Sequence, residues 1–250
     1  SPLDAWSYRS QIQTHCQFPE SAVRVYCHQR TLLTNVSPTV ELESVGDVFM
    51  RPMPIWKRMI DIMGSLFGLT VSFPFLLICA ILIKLTSRGP VLFRQKRVGL
   101  GGRPFDIFKL RTMVDGADEQ KSNLVDQNQS DGLGFKIAND PRVTPIGKFL
   151  RKTSLDELPQ LYNVLIGKMS LVGPRPLPCS DWKPSELWMN QRHDVTPGIT
   201  CIWQVHGRSR VSFDEWMQMD ISYVDSRSFW LDAKLLAETL PAVASRRGAW

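Results

Sequence analysis

From Ile62 to Ile83 the chain reads IMGSLFGLTVSFPFLLICAILI, 22 positions without a charged residue. A helix of roughly 20 such residues is long enough to span the hydrocarbon of a bilayer, and apolar residues all round it leave no face for water. Pro74 stands near the middle, where it removes a backbone hydrogen bond and kinks or breaks the helix. Each half is then about 15 Å long, roughly half the hydrocarbon thickness. Basic residues flank both ends: Arg51, Lys57 and Arg58 precede the segment, and Lys84, Arg88, Arg94, Lys96 and Arg97 follow it. Positive charge marks the cytoplasmic side, so the pattern predicts a re-entrant helix-break-helix that enters and leaves by one face, kinked at Pro74. The carbonyls freed near residue 70 are expected to find the hydroxyl of Thr70 or Ser72.

Elsewhere the pattern is mixed. AVRVYC and TVELESV, within residues 1–50, read as short strands around a polar stretch. That segment is too small for a core of its own and is expected to be an accessory, or the tail of something larger. RPMP opens a linker over 51–56, residues 57–88 form the re-entrant hairpin, and 89–250 form the main domain. There, FDIFKLRTM reads as an extended strand with Lys109 and Arg111 on one side. Gly99, Gly101 and Gly102 mark a tight turn between two strands, because a dinucleotide fingerprint needs a third glycine at another spacing. The polar run VDGADEQKSNLVDQNQSDG reads as a loose helix or a loop.

Thr144 with Pro145 after it is a well-formed helix start. Ser212 and Glu215 have the spacing of a capping box. Beyond them Trp216, Met217, Met219, Ile221, Tyr223, Phe229 and Trp230 recur at near-helical spacing, either as core or at lipid headgroup level. The fold class expected is α+β and helix-rich: a monotopic membrane protein with a re-entrant helix and amphipathic interfacial helices.

Composition narrows the chemistry. A net charge of +6 and a pI near 9.2 call for an anionic partner: nucleic acid, a phosphorylated substrate or a membrane surface. A nucleic-acid binder would explain the charge, but neither the apolar segment nor the paired carboxylates described below. Five cysteines show no C-x-x-C spacing, which argues for a reducing compartment without structural zinc or a disulfide framework. The four histidines show no metal-ligand spacing either. The chain opens SPLDAW, without Met, and reads as a trimmed form.

The stretch TSLDELPQL, Thr153 to Leu161, can be read in two ways. Ser154 and Glu157 fit a capping box, in which the acids merely satisfy backbone N–H groups. Pro159 argues against Ser154 as the N-cap, since it would then fall at N5 and clash with the carbonyl of Leu155. An N-cap at Leu155 or Asp156 puts Pro159 in the tolerated first turn, and Asp156 and Glu157 at the positive mouth of the helix. A carboxylate there stays ionised, as a nucleophile or Mg²⁺ ligand must. Arg151, Arg175 between Pro174 and Pro176, and Arg208 after Gly207 supply cations from separate segments. Guanidinium groups grip phosphate oxygens bidentately and suit a diphosphate, although any one of them alone is more often a surface or ion-pair residue.

FKLRTM, DPRVTPIGKFLRKTSLDELPQLYNVLIGKMSLVGPRP, TPGITCIWQVHGR and the closing RRGAW occur in an order that resembles the bacterial sugar transferases that start glycan assembly. These are the monotopic phosphoglycosyl transferases, and the resemblance runs from about Lys57 to Trp250. It implies that Asp156 is the nucleophile on the sugar-linked phosphate of a UDP-sugar, expelling UMP, and that undecaprenyl phosphate then attacks the sugar-phosphoryl-aspartate. It makes Glu157 the partner acid that helps hold Mg²⁺. Arg151, Arg175 and Arg208 are implied to handle phosphate charge, with Lys109, Arg111 and Gln204 in the substrate-binding set and Pro74 as the re-entrant kink. It places 89–250 as the catalytic domain on the cytoplasmic face of a bacterial inner membrane, with a homodimer as one assembly. The sugar itself is left open.

Overall fold

The structure, a computed structural model, describes residues 50–117, 119–120, 124, 137, 140–181, 190–207 and 211–244. The two strands expected within residues 1–50 and most of the polar 114–132 stretch lie outside the described residues. What is described is helix-rich with some strands, as the pattern implied.

Helix α1 spans Ile55–Thr86 and is, among the described residues, the one helix long and apolar enough to cross a membrane. Pro74 lies inside it rather than between two helices; losing one N–H and the fit of one turn does not end a helix this long. The hydroxyls of Thr70 and Ser72 donate to the carbonyls of Leu66 (2.9 Å) and Leu69 (3.4 Å), one turn back in the ordinary manner of helical hydroxyls.

The side chains of α1 are arranged inside out. Its buried face is Lys57, Asp61, Ser65, Ser72, Cys79 and Ile83, at steps of four and seven along one side. Met59, Met63, Phe67, Phe73, Phe75, Ile78 and Ile81 point outward and are more than half exposed. Apolar patches of that extent mark an interaction surface rather than a face for water.

Polar contacts fasten the first half of α1 to the domain. Lys57 Nζ lies 2.5 Å from Asp232 Oδ2 and donates to the carbonyl of Val172 at 2.8 Å. Arg58 donates to the carbonyls of Val164 and Leu165. Asp61 Oδ1 accepts from Ser170 Oγ and the N–H of Leu171. Gly64 lets this side close up, since a Cβ there would lie 2.6 Å from Leu171 Cδ1. The second half is held by packing: Cys79 and Ile83 form a cluster with Leu110 and Leu150.

Strands β1 (Leu92–Val98) and β2 (Pro104–Leu110) form an antiparallel hairpin in the register Leu92↔Leu110 to Val98↔Pro104. Its turn uses Gly101 and Gly102 at φ 64° and 79°, conformations that a residue with a Cβ resists, which is why glycines stand there. Helix α2 (Pro145–Thr153) begins as the sequence predicted, with Thr144 Oγ1 accepting from the N–H of Gly147 at 3.0 Å. After it come a 3₁₀ turn at Leu155–Glu157 and helix α3 (Gln160–Leu165). Strand β3 (Ser170–Val172) pairs in parallel with β4 (Gly198–Thr200).

The chain closes with α4 (Ile202–His206), α5 (Phe213–Ser226), opened by the Ser212–Glu215 capping box, and α6 (Phe229–Ala244). Along the aromatic stripe the two readings divide: Met217 and Tyr223 are core, while Trp230 is 79% exposed. The segment expected as a linker is tied down, for the guanidinium of Arg51 reaches Asp225 at 2.9 Å and the carbonyl of Val224.

Candidate active site

The ends of β2 and α2, the 3₁₀ turn, the loop after β3 and helix α4 all deliver polar side chains to one place. Helix α2 stops at Ser154, which adopts a left-handed conformation (φ 57°, ψ 17°) with no side-chain cap. It is the one non-glycine residue at positive φ among those described, and such a residue costs about 1–2 kcal/mol. The sharp reversal turns the chain into Leu155–Glu157 and then into Pro159 (φ −60°), which is itself the N-cap of α3. The helix thus begins later than an N-cap at Leu155 or Asp156 would place it, and the two acids sit in a separate turn before it. The capping-box reading of Ser154 is thereby excluded.

The two acids lead different lives. Glu157 is enclosed by cations: Lys109 Nζ donates to its Oε1 at 2.8 Å, and Arg175 donates to both of its oxygens. Burial pushes the Glu157 carboxyl up, but Arg175 and Lys109 more than offset that and hold it well below the usual carboxylate range. Asp156 is 8% exposed and accepts no hydrogen bond among the described residues. Burial and then the charge of Glu157 raise its pKa to about 6, against the pull of Lys109, Arg151 and Arg175. At neutral pH it is ionised, with Lys109, Arg151 and Arg175 offsetting part of the cost of burial.

Arg151, on the last turn of α2, is fixed by its Nε–H to Thr112 Oγ1 (3.0 Å), with its charge directed to Asp156. Gln204, from α4, accepts from Arg175 Nη1 at 2.6 Å and donates to the carbonyl of Ile199 at 3.0 Å. Of the residues singled out in the sequence, Asp156, Glu157, Lys109, Arg151, Arg175 and Gln204 therefore converge. Arg111 does not: it lies just past β2, and its guanidinium turns to Ser87 and to the carbonyl of Arg88 at the end of α1. It closes that helix end rather than joining the carboxylates. Arg208 falls outside the described residues.

Arg97 is a member that sequence reasoning missed. It stands on β1, donates to the carbonyl of Pro176 at 2.8 Å, and burial with the neighbouring Arg175 pushes its pKa down to about 10. Four cations thus face two carboxylates, one of which is already neutralised, so the site is built for an anion of more than one charge. In the sequence Arg97 is only one of a basic run; the hairpin register selects it.

The resident carboxylates also bear on Mg²⁺. Among the described residues there is no cluster of three or more His, Cys, Asp or Glu side chains able to hold a metal. Mg²⁺, however, is commonly bound through one or two carboxylates together with substrate phosphates, and adjacent Asp156 and Glu157 supply that donor set.

The model for the family described as bacterial sugar transferase matches residues 53–246. Over 202 residues, 78% of this chain, the sequence is 44% identical to galactosyl transferase CpsE of Streptococcus agalactiae, covering 43% of that protein. It is 40% identical over 195 residues to the uncharacterized sugar transferase EpsL of Bacillus subtilis, covering 90% of it. It is 38% identical over 202 residues to undecaprenyl-phosphate galactose phosphotransferase of Salmonella typhimurium, covering 41% of it. The chain thus spans less than half the length of two of these relatives and most of the third. A match of this extent, over the same residues that build the carboxylate-and-arginine site, makes the chain a member of the bacterial sugar transferase family.

Proposed function

We propose that the protein transfers a hexose 1-phosphate from a UDP-sugar to undecaprenyl phosphate, through a covalent intermediate on Asp156. The observation that carries this is the division of labour between the acids: Glu157 is ion-paired with Lys109 and Arg175, while Asp156 is ionised, buried and accepts no hydrogen bond among the described residues. A carboxylate acting as nucleophile has to be ionised, with an oxygen lone pair free to attack. An oxygen of Asp156 attacks the phosphorus next to the sugar, the bond to the bridging oxygen breaks, and UMP leaves. A phosphate oxygen of undecaprenyl phosphate then attacks the same phosphorus and releases the aspartate. Names of relatives support both partners, among them the UDP-glucose:undecaprenyl-phosphate glucose-1-phosphate transferase of Klebsiella pneumoniae.

Arg97, Arg151 and Arg175 would neutralise phosphoryl charge as it develops. Mg²⁺ is proposed to be held by Glu157 with phosphate oxygens of the donor, where it would supply further charge neutralisation. The covalent step is tested by mass spectrometry of protein given UDP-sugar and Mg²⁺ without lipid. A hexose-phosphate adduct on Asp156 with matching UMP is expected; neither adduct nor acceptor-independent UMP would leave direct displacement as the mechanism.

The same reading puts α1 into the membrane as a re-entrant helix, with the domain on the cytoplasmic face of the inner membrane. In support, both ends of α1 pack on the same domain, Lys57 on Asp232 and Ile83 on Leu110 and Leu150, while the residues around Pro74 expose apolar side chains. Cysteine labels at Ile55 and Lys84, which flank the apolar segment and are both exposed, should both resist reagents added from the periplasm; labelling of either from outside would mean a true span.

A further inference from the structure

Arg175 stands in the short loop Gly173–Pro174–Arg175–Pro176, and that loop is unusual in how it is held. Its prolines have no N–H to give, so beyond the N–H of Gly173, which donates to the carbonyl of Thr200 (3.0 Å), it is fixed through its carbonyls. Pro174 accepts from the N–H of Gly198 (2.9 Å), Pro176 from Arg97 Nη1 (2.8 Å), and Arg175 itself from Arg192 Nη2 (2.5 Å). Three successive carbonyls each have a donor, and two of the donors are guanidinium groups.

Arg192 is the more telling of the two. It lies in the 3₁₀ turn Gln191–Asp194, is 1% exposed, and its Nη2 also donates to Asp220 Oδ2 at 2.5 Å. Asp220, on α5, is equally buried, and the ring of Trp216 lies 5.4 Å from the guanidinium carbon. A buried ion pair is weak as a device for stability, because desolvation cancels much of the attraction and apolar residues of similar size often serve as well. Its geometry here has a definite output: one nitrogen bridges Asp220 to the backbone of the residue that grips Glu157.

We propose that Arg192 and Asp220 are positioning residues that set Arg175 against Glu157 and against the phosphate of the substrate. The pair makes no hydrogen bond to Asp156 or Glu157 among the described residues, and acts through the Arg175 carbonyl. This rests on the transferase reading given above.

The test replaces both members, Arg192→Met with Asp220→Leu, so that no lone charge is left buried. UMP release is followed with UDP-galactose and UDP-glucose as donors and undecaprenyl phosphate as acceptor, in wild type and variant, alongside a thermal melt. Expected is a melting temperature close to wild type, kcat lower by about 10- to 100-fold, as for small misplacement of a catalytic group, and a KM for the donor that moves far less. The same pair of changes in an Arg175→Lys background should add less than about twofold, since residues acting through one another are not additive. Unchanged kcat in the folded double variant, or full additivity with Arg175→Lys, overturns the proposal. Should the double variant fail to fold, Asp220→Asn, which keeps the shape of the pair, takes its place in both arms with the same criteria. A wild-type protein that releases no UMP from these two donors or from a wider panel of UDP-hexoses and UDP-N-acetylhexoses would instead fault the transferase reading.

Discussion

Lys109 Nζ sits 2.8 Å from Glu157 Oε1, while the neighbouring carboxylate of Asp156 accepts no hydrogen bond among the described residues. Two adjacent acids of the same chemistry are thus set apart by what surrounds them. Asp156→Asn should abolish adduct formation and lower turnover by about a thousandfold or more, as loss of a nucleophile does. Glu157→Gln should behave differently: it leaves Lys109 and Arg175 facing a neutral amide, so adduct formation slows but persists and the melting temperature drops. Equal and complete loss of the adduct in both variants would contradict this division.

The pKa of about 6 at Asp156 gives an acid limb. Ionisation is lost as pH falls through 6, so acceptor-independent UMP release should decline there by about tenfold per unit. The stability effect runs the other way. With its folded pKa above the ordinary 3.8, Asp156 favours the fold at low pH, and that contribution is lost as pH rises through 6. Asp156→Asn should therefore raise the melting temperature at pH 7.5, with the gain shrinking towards pH 4. A gain that does not depend on pH would count against a buried, ionising Asp156.

Lys57 and Asp232 form a buried pair that joins the first turn of α1 to the start of α6. Removing one partner strands the other, at a cost of about 3–5 kcal/mol. Lys57→Met should destabilise the protein strongly in detergent melts, and adding Asp232→Leu should restore much of the loss. No recovery in the double variant would mean that Val172 and Tyr223, which also contact Lys57, carry the junction.

Ser154 holds the left-handed turn before the acids at φ 57°. Ser154→Gly should be neutral or stabilising, while the β-branched Ser154→Val should cost about 1–2 kcal/mol and lower kcat by tilting Asp156. Both are read from melting curves and UMP release. Equal behaviour of the two would show that the turn tolerates any residue.

The sequence made some of this readable and hid the rest for identifiable reasons. Thr144 with Pro145, the Ser212–Glu215 box and the glycine turn at 101–102 are local devices, and all three appear where the residues put them. Asp156 and Glu157 were legible because Pro159 constrains where the next helix starts. Arg111 reads like Lys109 in the strand pattern, yet the strand ends at Leu110 and Arg111 turns to the end of α1. Arg97 and Arg192 gave no signal, since their roles depend on carbonyls 79 and 17 residues away in sequence. Pairings of that kind are set by tertiary packing, which no local pattern encodes.

Lys57 and Ile83, near opposite ends of α1, both pack on one domain, and the membrane path proposed for the helix bears on where the product is left. If α1 turns back within the bilayer, no part of the catalytic domain reaches the far leaflet, and the sugar ends up facing the compartment that supplied its nucleotide donor. Any glycan built on that lipid for the outside of the cell would then need a separate carrier to flip it across. On that proposed path, one helix would keep initiation and export apart.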